Sequence, residues 1–174
     1  MGKFSDYTPA AAADYLDATT FLIQDPDGNT LLANLADLKE YFFCDVKCAS
    51  LSVLAADVLQ LNTTPQEVIA APGAGKAIEV IAASGALVYG SVAYATNTNL
   101  QLITAGATDP QYESGKLLLS TVDTHSKLGE NLVSGATDTQ IIENAALNLT
   151  VETGDPTAGD SDIEVFVFYR EIDV

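Results

Sequence analysis

The sequence predicts an all-β fold: a jelly-roll-like β-sandwich, preceded by an N-terminal arm and a small strand-turn-strand-helix unit. From Leu51 onward, roughly eight or nine short runs place apolar residues at alternate positions. Turn signals rich in Gly, Pro and Asn separate these runs, and no strand-helix-strand alternation interrupts them. At 174 residues the chain holds one substantial core and an appendage, not two ordinary domains. The expected division is an extended arm over residues 1–19, a hairpin-plus-helix anchoring unit over residues 20–48 and the sandwich over residues 49–174.

The arm carries Ala, Asp and Thr with no sustained period, and its lone aromatics Phe4, Tyr7 and Tyr15 are spaced as anchors for a neighbouring subunit. It contains no apolar run of signal-peptide length, so the mature chain is expected to start here. Thr20 to Gln24 and Thr30 to Leu32 flank Asp25-Pro26-Asp27-Gly28-Asn29, which reads as a hairpin. The acidic trio in that turn is not a calcium loop: its glycine comes too early and Ala36 stands where a closing glutamate belongs. From Asn34 the period becomes helical, with Leu35, Leu38 and Phe42 on one face; together with Phe21 they form the expected anchoring surface.

The unit TTFLIQDPDGNTLLANLADLKEYFF resembles the N-terminal segment of many tailed-bacteriophage fibre and head-decoration proteins. The stretches VIAAPGAGKAIEVIAASGALVYGSVAYATNTNLQLI and IEVFVFYREI are similar to phage virion β-sandwiches. That resemblance implies an oligomeric, commonly trimeric, structural component of the particle. Its partners would be copies of itself and the major capsid or other virion proteins, assembled in the cytoplasm of a bacterial host.

Within the sandwich, Leu51 to Leu54 and Val58 to Leu61 frame a first strand, and Val68 to Ala71 a second. Pro72-Gly73-Ala74-Gly75-Lys76 is a glycine turn; it lacks the first glycine and the hydroxyl residue of a phosphate-binding loop, and a strand follows it where that loop opens a helix. Residues 77–103 read as a three-stranded meander punctuated at Ser84-Gly85 and at Asn97-Thr98-Asn99, apolar on both faces. Lys116 to Ser120, Thr139 to Ile142 and Ala145 to Val151 are further strands, the last with Leu147, Leu149 and Val151 on one side. The closing strand sets Ile163, Val165, Val167 and Tyr169 against Phe166, Phe168 and Ile172, which leaves no solvent-facing side and places it mid-sheet. Phe166, Phe168 and Tyr169 are therefore the expected subunit contacts.

Twenty-four acidic against seven basic side chains give a formal charge of −17, with Arg170 the single arginine, so neither a phosphate backbone nor an anionic membrane surface is an expected partner. A hydrophobic fraction of 48% is high for a monomer and points to burial by self-association. Cys44 and Cys48 read as free thiols in a reducing compartment, and no metal or cofactor is expected from any ligand spacing. The acidic stretch 153–162 reads as a solvated turn, with a bound cation as the lesser alternative, and the glycosylation patterns at Asn62 and Asn148 carry no weight without a secretory signal. The one histidine, His125, has no recognisable nucleophile beside it, so no enzyme is expected.

Two functions remain: a virion structural protein, and a receptor- or glycan-binding module acting through loops 104–112 and 121–137 with Tyr112 and His125. Those loops offer little aromatic platform, which ranks the structural role first.

Overall fold

The computed structural model describes the backbone of residues 20–24 and 30–34, and residues 46–131 and 139–174 in full. The chain divides into two compact units, Met1–Asp45 and Val46–Val174. In the first, β1 (Thr20–Gln24) and β2 (Thr30–Asn34) pair antiparallel, Thr20 opposite Asn34 and Gln24 opposite Thr30, as the Pro-Asp-Gly stretch predicts. The expected arm with Phe4, Tyr7 and Tyr15, the helix with Leu35, Leu38 and Phe42, the Phe21 side chain and Cys44 lie outside the described residues.

The second unit is a β-sandwich. Its strands are β3 (Lys47–Val53), β4 (Gln66–Ile69), β5 (Lys76–Val88), β6 (Leu100–Thr104), β7 (Tyr112–Ser114), β8 (Thr124–Lys127), β9 (Gly129–Glu130), β10 (Leu147–Val151) and β11 (Asp162–Asp173). One antiparallel sheet runs β4-β10-β6-β7-β9 and the other β3-β11-β5-β8, so the chain crosses repeatedly from sheet to sheet. Between them lies the core. Val53, Val80, Leu87, Val165 and Val167 enter from one sheet and Leu100, Leu102, Leu147, Leu149 and Val151 from the other.

The closing strand lies mid-sheet as its pattern predicts, β11 between β3 and β5, with Ile163, Val165 and Val167 inward. Its other face is not covered within this unit: Phe168 is 46% exposed. Cover for that face does not come from its own sheet, because the residues opposite Phe168 and Phe166 are small, Cys48 and Ala82 beside one and Ser50 and Ser84 beside the other.

Residues 77–103 do not form a three-stranded meander. Ser84-Gly85 lies inside β5, which pairs continuously with β11; Leu117 packs so closely there that a Cβ on Gly85 would stand 2.5 Å from its Cδ2. The register slips near Ile81, where one extra residue of β5 stands opposite the step from Phe168 to Tyr169. This bulge reverses the phase, so Ile78 and Val80 point inward before it, Ala83 and Leu87 after it, and Ile81 is 43% exposed. After Val88 the chain leaves the sheet and crosses the end of the sandwich. Tyr94 plugs the core on the way, Ala95 bridges to Thr157, and positive φ at Thr96 and Asn97 completes the turn predicted at 97–99.

Two other expected strands, and the second half of the expected first one, are absent. Val58 to Leu61 belongs to a helical turn that begins with α1 (Ala55–Val58); the i, i+3 spacing of Val58 and Leu61 buries both, which alternation cannot do. Leu117 and Leu118 are consecutive and both fully buried, in a turn rather than a strand. Residues 139–142 form no strand, and Thr139 offers its carbonyl to the amides of Thr108 and Asp109. Conversely, β7, β8 and β9 fall where loops were expected, each too short to show a period.

Only residues 84–87 of β5 pair with β8. The rest of that edge is satisfied piecemeal. Lys76 C=O accepts from Asn144 N–H at 2.7 Å, and Ala83 C=O from Leu128 N–H at 3.0 Å. Between them the buried side chain of Gln111 acts as a one-residue strand: Val80 N–H donates to its Oε1 at 2.8 Å, while its Nε2 donates to Ile78 C=O at 3.0 Å and to Thr104 Oγ1 at 2.9 Å. Tyr112 donates its hydroxyl to the bulge carbonyl of Ile81 at 2.7 Å.

Candidate functional site

The acidic stretch 153–162 is a clasp. Asp155 accepts from the amides of Asn62 and Thr63 and from the Thr63 hydroxyl. Asp160 accepts from the amides of Ser91 and Val92 at 2.8 Å and from the Ser91 hydroxyl at 2.6 Å, and Asp162 caps the amide of Ala55 at 2.8 Å. Three aspartates thus fasten three separate segments. The hydroxyl bonds first, then the amides, hold the Asp155 and Asp160 carboxyls below the ordinary carboxylate range. Among the described residues no group of three His, Cys, Asp or Glu is placed to hold a metal ion.

Beside the clasp, Gly159 (φ +92°) lies against the Tyr94 ring, where a Cβ would approach to 2.2 Å. Tyr94 is 2% exposed and donates its hydroxyl to Ser161 C=O at 2.6 Å. Burial, aided by the charges of Asp162 and Asp160, pushes its phenol up to about 12.

Among the described residues, two surfaces stand out for recognition. The first is the outer face of β3-β11-β5-β8, where Cys48, Phe168 and Ala82 form one cross-strand row and Ser50, Phe166, Ser84 and Lys127 the next. Ile81, projected by the bulge, adds to the apolar strip. Of the three expected contact residues, Phe166 and Phe168 share this face, whereas Tyr169 turns inward and packs against the core. Cys48 is a free, exposed thiol on the same face.

The second is a cleft of about 470 Å³ over the outer face of the other sheet. Its floor is Gln101 and Ile103 of β6 with Thr150 of β10; Glu113 of β7, the 108–110 loop and Asn131 bound one side, Asn62 and Glu152 the other. Asn99 Nδ2 donates to Glu113 and to Glu152, 3.0 Å each, and holds the two carboxylates side by side. Gly154 N–H bonds back to Glu152 C=O at 2.9 Å across Thr153, whose φ of +73° makes a tight γ-turn at the rim.

The structure separates Tyr112 from His125. Tyr112 lies in β7 with its ring buried, and burial raises its phenol. His125 is exposed on the outer face of β8, opposite Ala86. The expected receptor-loop pair is therefore not brought together, although the 108–110 part of that region lines the cleft. Sequence reasoning missed the cleft because its residues come from strands and loops whose outward positions are simply polar.

No known family model, curated protein or solved structure matches this chain.

Proposed function

We propose that this protein is a non-enzymatic structural component of a tailed-bacteriophage particle: a sandwich that associates with copies of itself, as a trimer in keeping with the resemblance noted above, and serves as a capsid decoration or head-fibre-base protein. The observation that carries the reading is the strip of Phe166, Phe168 and Ile81 on the outer sheet face, flanked by side chains too small to cover it. An apolar sheet face can be buried where copies converge on a common symmetry axis, and a net charge of −17 keeps the assembled particles apart in solution. Attachment falls to the N-terminal region, which the chain sets off as a separate unit, and the partner there is the major capsid or another virion protein. Nucleic acid and membrane are not partners in this reading. The expected receptor pair of Tyr112 and His125 does not form a site, since Tyr112 is buried with its hydroxyl on Ile81 C=O and His125 lies on the other sheet.

Analytical ultracentrifugation of the full chain tests the proposal, with Phe168→Ser as the comparison. The expected result is a stable oligomer that Phe168→Ser dissociates without loss of folding. A monomer at every concentration ends the case for self-association. Deleting residues 1–43 should leave a folded sandwich by circular dichroism that no longer attaches to undecorated capsids; retained attachment would move the docking surface elsewhere.

A further inference from the structure

We infer that the cleft on the outer face of the five-stranded sheet is a binding site for a neutral saccharide. The cleft volume, about 470 Å³, suits a ligand of one or two sugar rings. Its chemistry is that of hydroxyl recognition. The Gln101 side-chain amide makes no hydrogen bond within the described residues and offers both a donor and an acceptor from the floor, next to Ile103, which supplies an apolar patch for a sugar C–H face. Glu113 and Glu152 each give one carboxylate oxygen to Asn99, which leaves the other oxygen of each to accept from a hydroxyl. The Asn62 amide nitrogen is committed to Val151 C=O at 2.7 Å, so its oxygen remains as a further acceptor.

The same inventory fixes the class. Asp109, Glu113 and Glu152 line the cleft with no lysine or arginine among its lining residues, so sialylated, sulfated and phosphorylated glycans are repelled. The inference is independent of the self-association proposed above, because it uses the opposite sheet.

The test is a glycan array probed with the full chain, followed by calorimetric titration of the best neutral oligosaccharide. Binding is expected for neutral glycans and not for their sialylated counterparts, and it should persist as salt is raised. Gln101→Ala and Glu113→Gln should each weaken it by about tenfold or more, and Gln101→Ala should leave melting unchanged because that side chain has no internal bond to lose. Phe168→Ser should bind as the parent does, which separates this site from the oligomer contact. Absence of neutral-glycan binding at millimolar concentration, titration unaffected by Gln101→Ala, or binding only of a polyamine such as spermidine that salt abolishes would each overturn the inference.

Discussion

Replacing Gln111 by alanine should be among the most damaging single changes in the sandwich. The side chain is 5% exposed and stands in for a strand along β5, accepting from Val80 N–H and donating to Ile78 C=O. Val80 and Ile78 are 7% and 0% exposed, so water does not readily replace the lost partner. A buried backbone group left without one costs about 1–3 kcal/mol, less for a carbonyl than for an amide, so the two together give about 3 kcal/mol. For a chain of this size that corresponds to a fall in Tm of about 6–12 °C. Urea unfolding followed by circular dichroism measures the loss directly. Gln111→Met separates causes, since it restores most of the volume and none of the polarity, and it should remain nearly as destabilised as alanine. Hydrogen exchange adds a local readout: the Val80 amide, protected in the parent, should exchange early in both variants. If both variants keep their stability to within about 1 kcal/mol, which is the worth of an ordinary hydrogen bond, Gln111 is not a substitute strand.

Gly159→Ala should destabilise by about 2 kcal/mol or more, because the added methyl meets a Tyr94 ring that is itself buried and the residue must keep a φ of +92°; thermal melts of the pair decide it. The depressed carboxyls of Asp155 and Asp160 contribute stability that is present above the unfolded-state pKa and is lost as pH falls through their lower folded-state values. Melts recorded down the acid limb should therefore show a loss that Asp160→Asn reduces, and an unchanged acid slope in that variant would remove the clasp from the account. At the other end, the Tyr94 phenol is pushed up to about 12, so stability should be unaffected by this group below the unfolded-state value near 10 and decline as pH rises between the two. Tyr94→Phe should flatten that alkaline decline.

Alternation carried the reading of the sequence wherever one side of a strand is buried and the other is not. Leu147, Leu149 and Val151 face inward as their spacing requires, and the apolar alternation of β11 placed it in mid-sheet. The same rule failed in β5, where the extra residue at Ile81 joins two segments of opposite phase and makes the whole look apolar on both faces. Leu117 and Leu118, buried side by side in a turn that packs into the core, imitate a strand in sequence because consecutive buried leucines leave the same apolar run in either case. The aspartates of 153–162 read as solvated because their partners are amides distant along the chain; Asp155 reaches Asn62 and Asp160 reaches Ser91. Nothing in a linear pattern distinguishes such a carboxylate from one in water. For the cleft, Gln101, Glu113 and Glu152 each looked like an ordinary outward residue, and only the pairing of β6 with β7 and β10 assembles them.

Ile81 is a spare link in the longest strand. A chain lacking one residue anywhere between Val80 and Gly85 would still seat Gly85 beneath Leu117 and Leu87 in the interior, with a straighter ribbon and an idle Tyr112 hydroxyl. Divergent forms of this sandwich can therefore differ in length inside a strand rather than only in its loops, and aligning them correctly requires a gap at a position where gaps are normally forbidden.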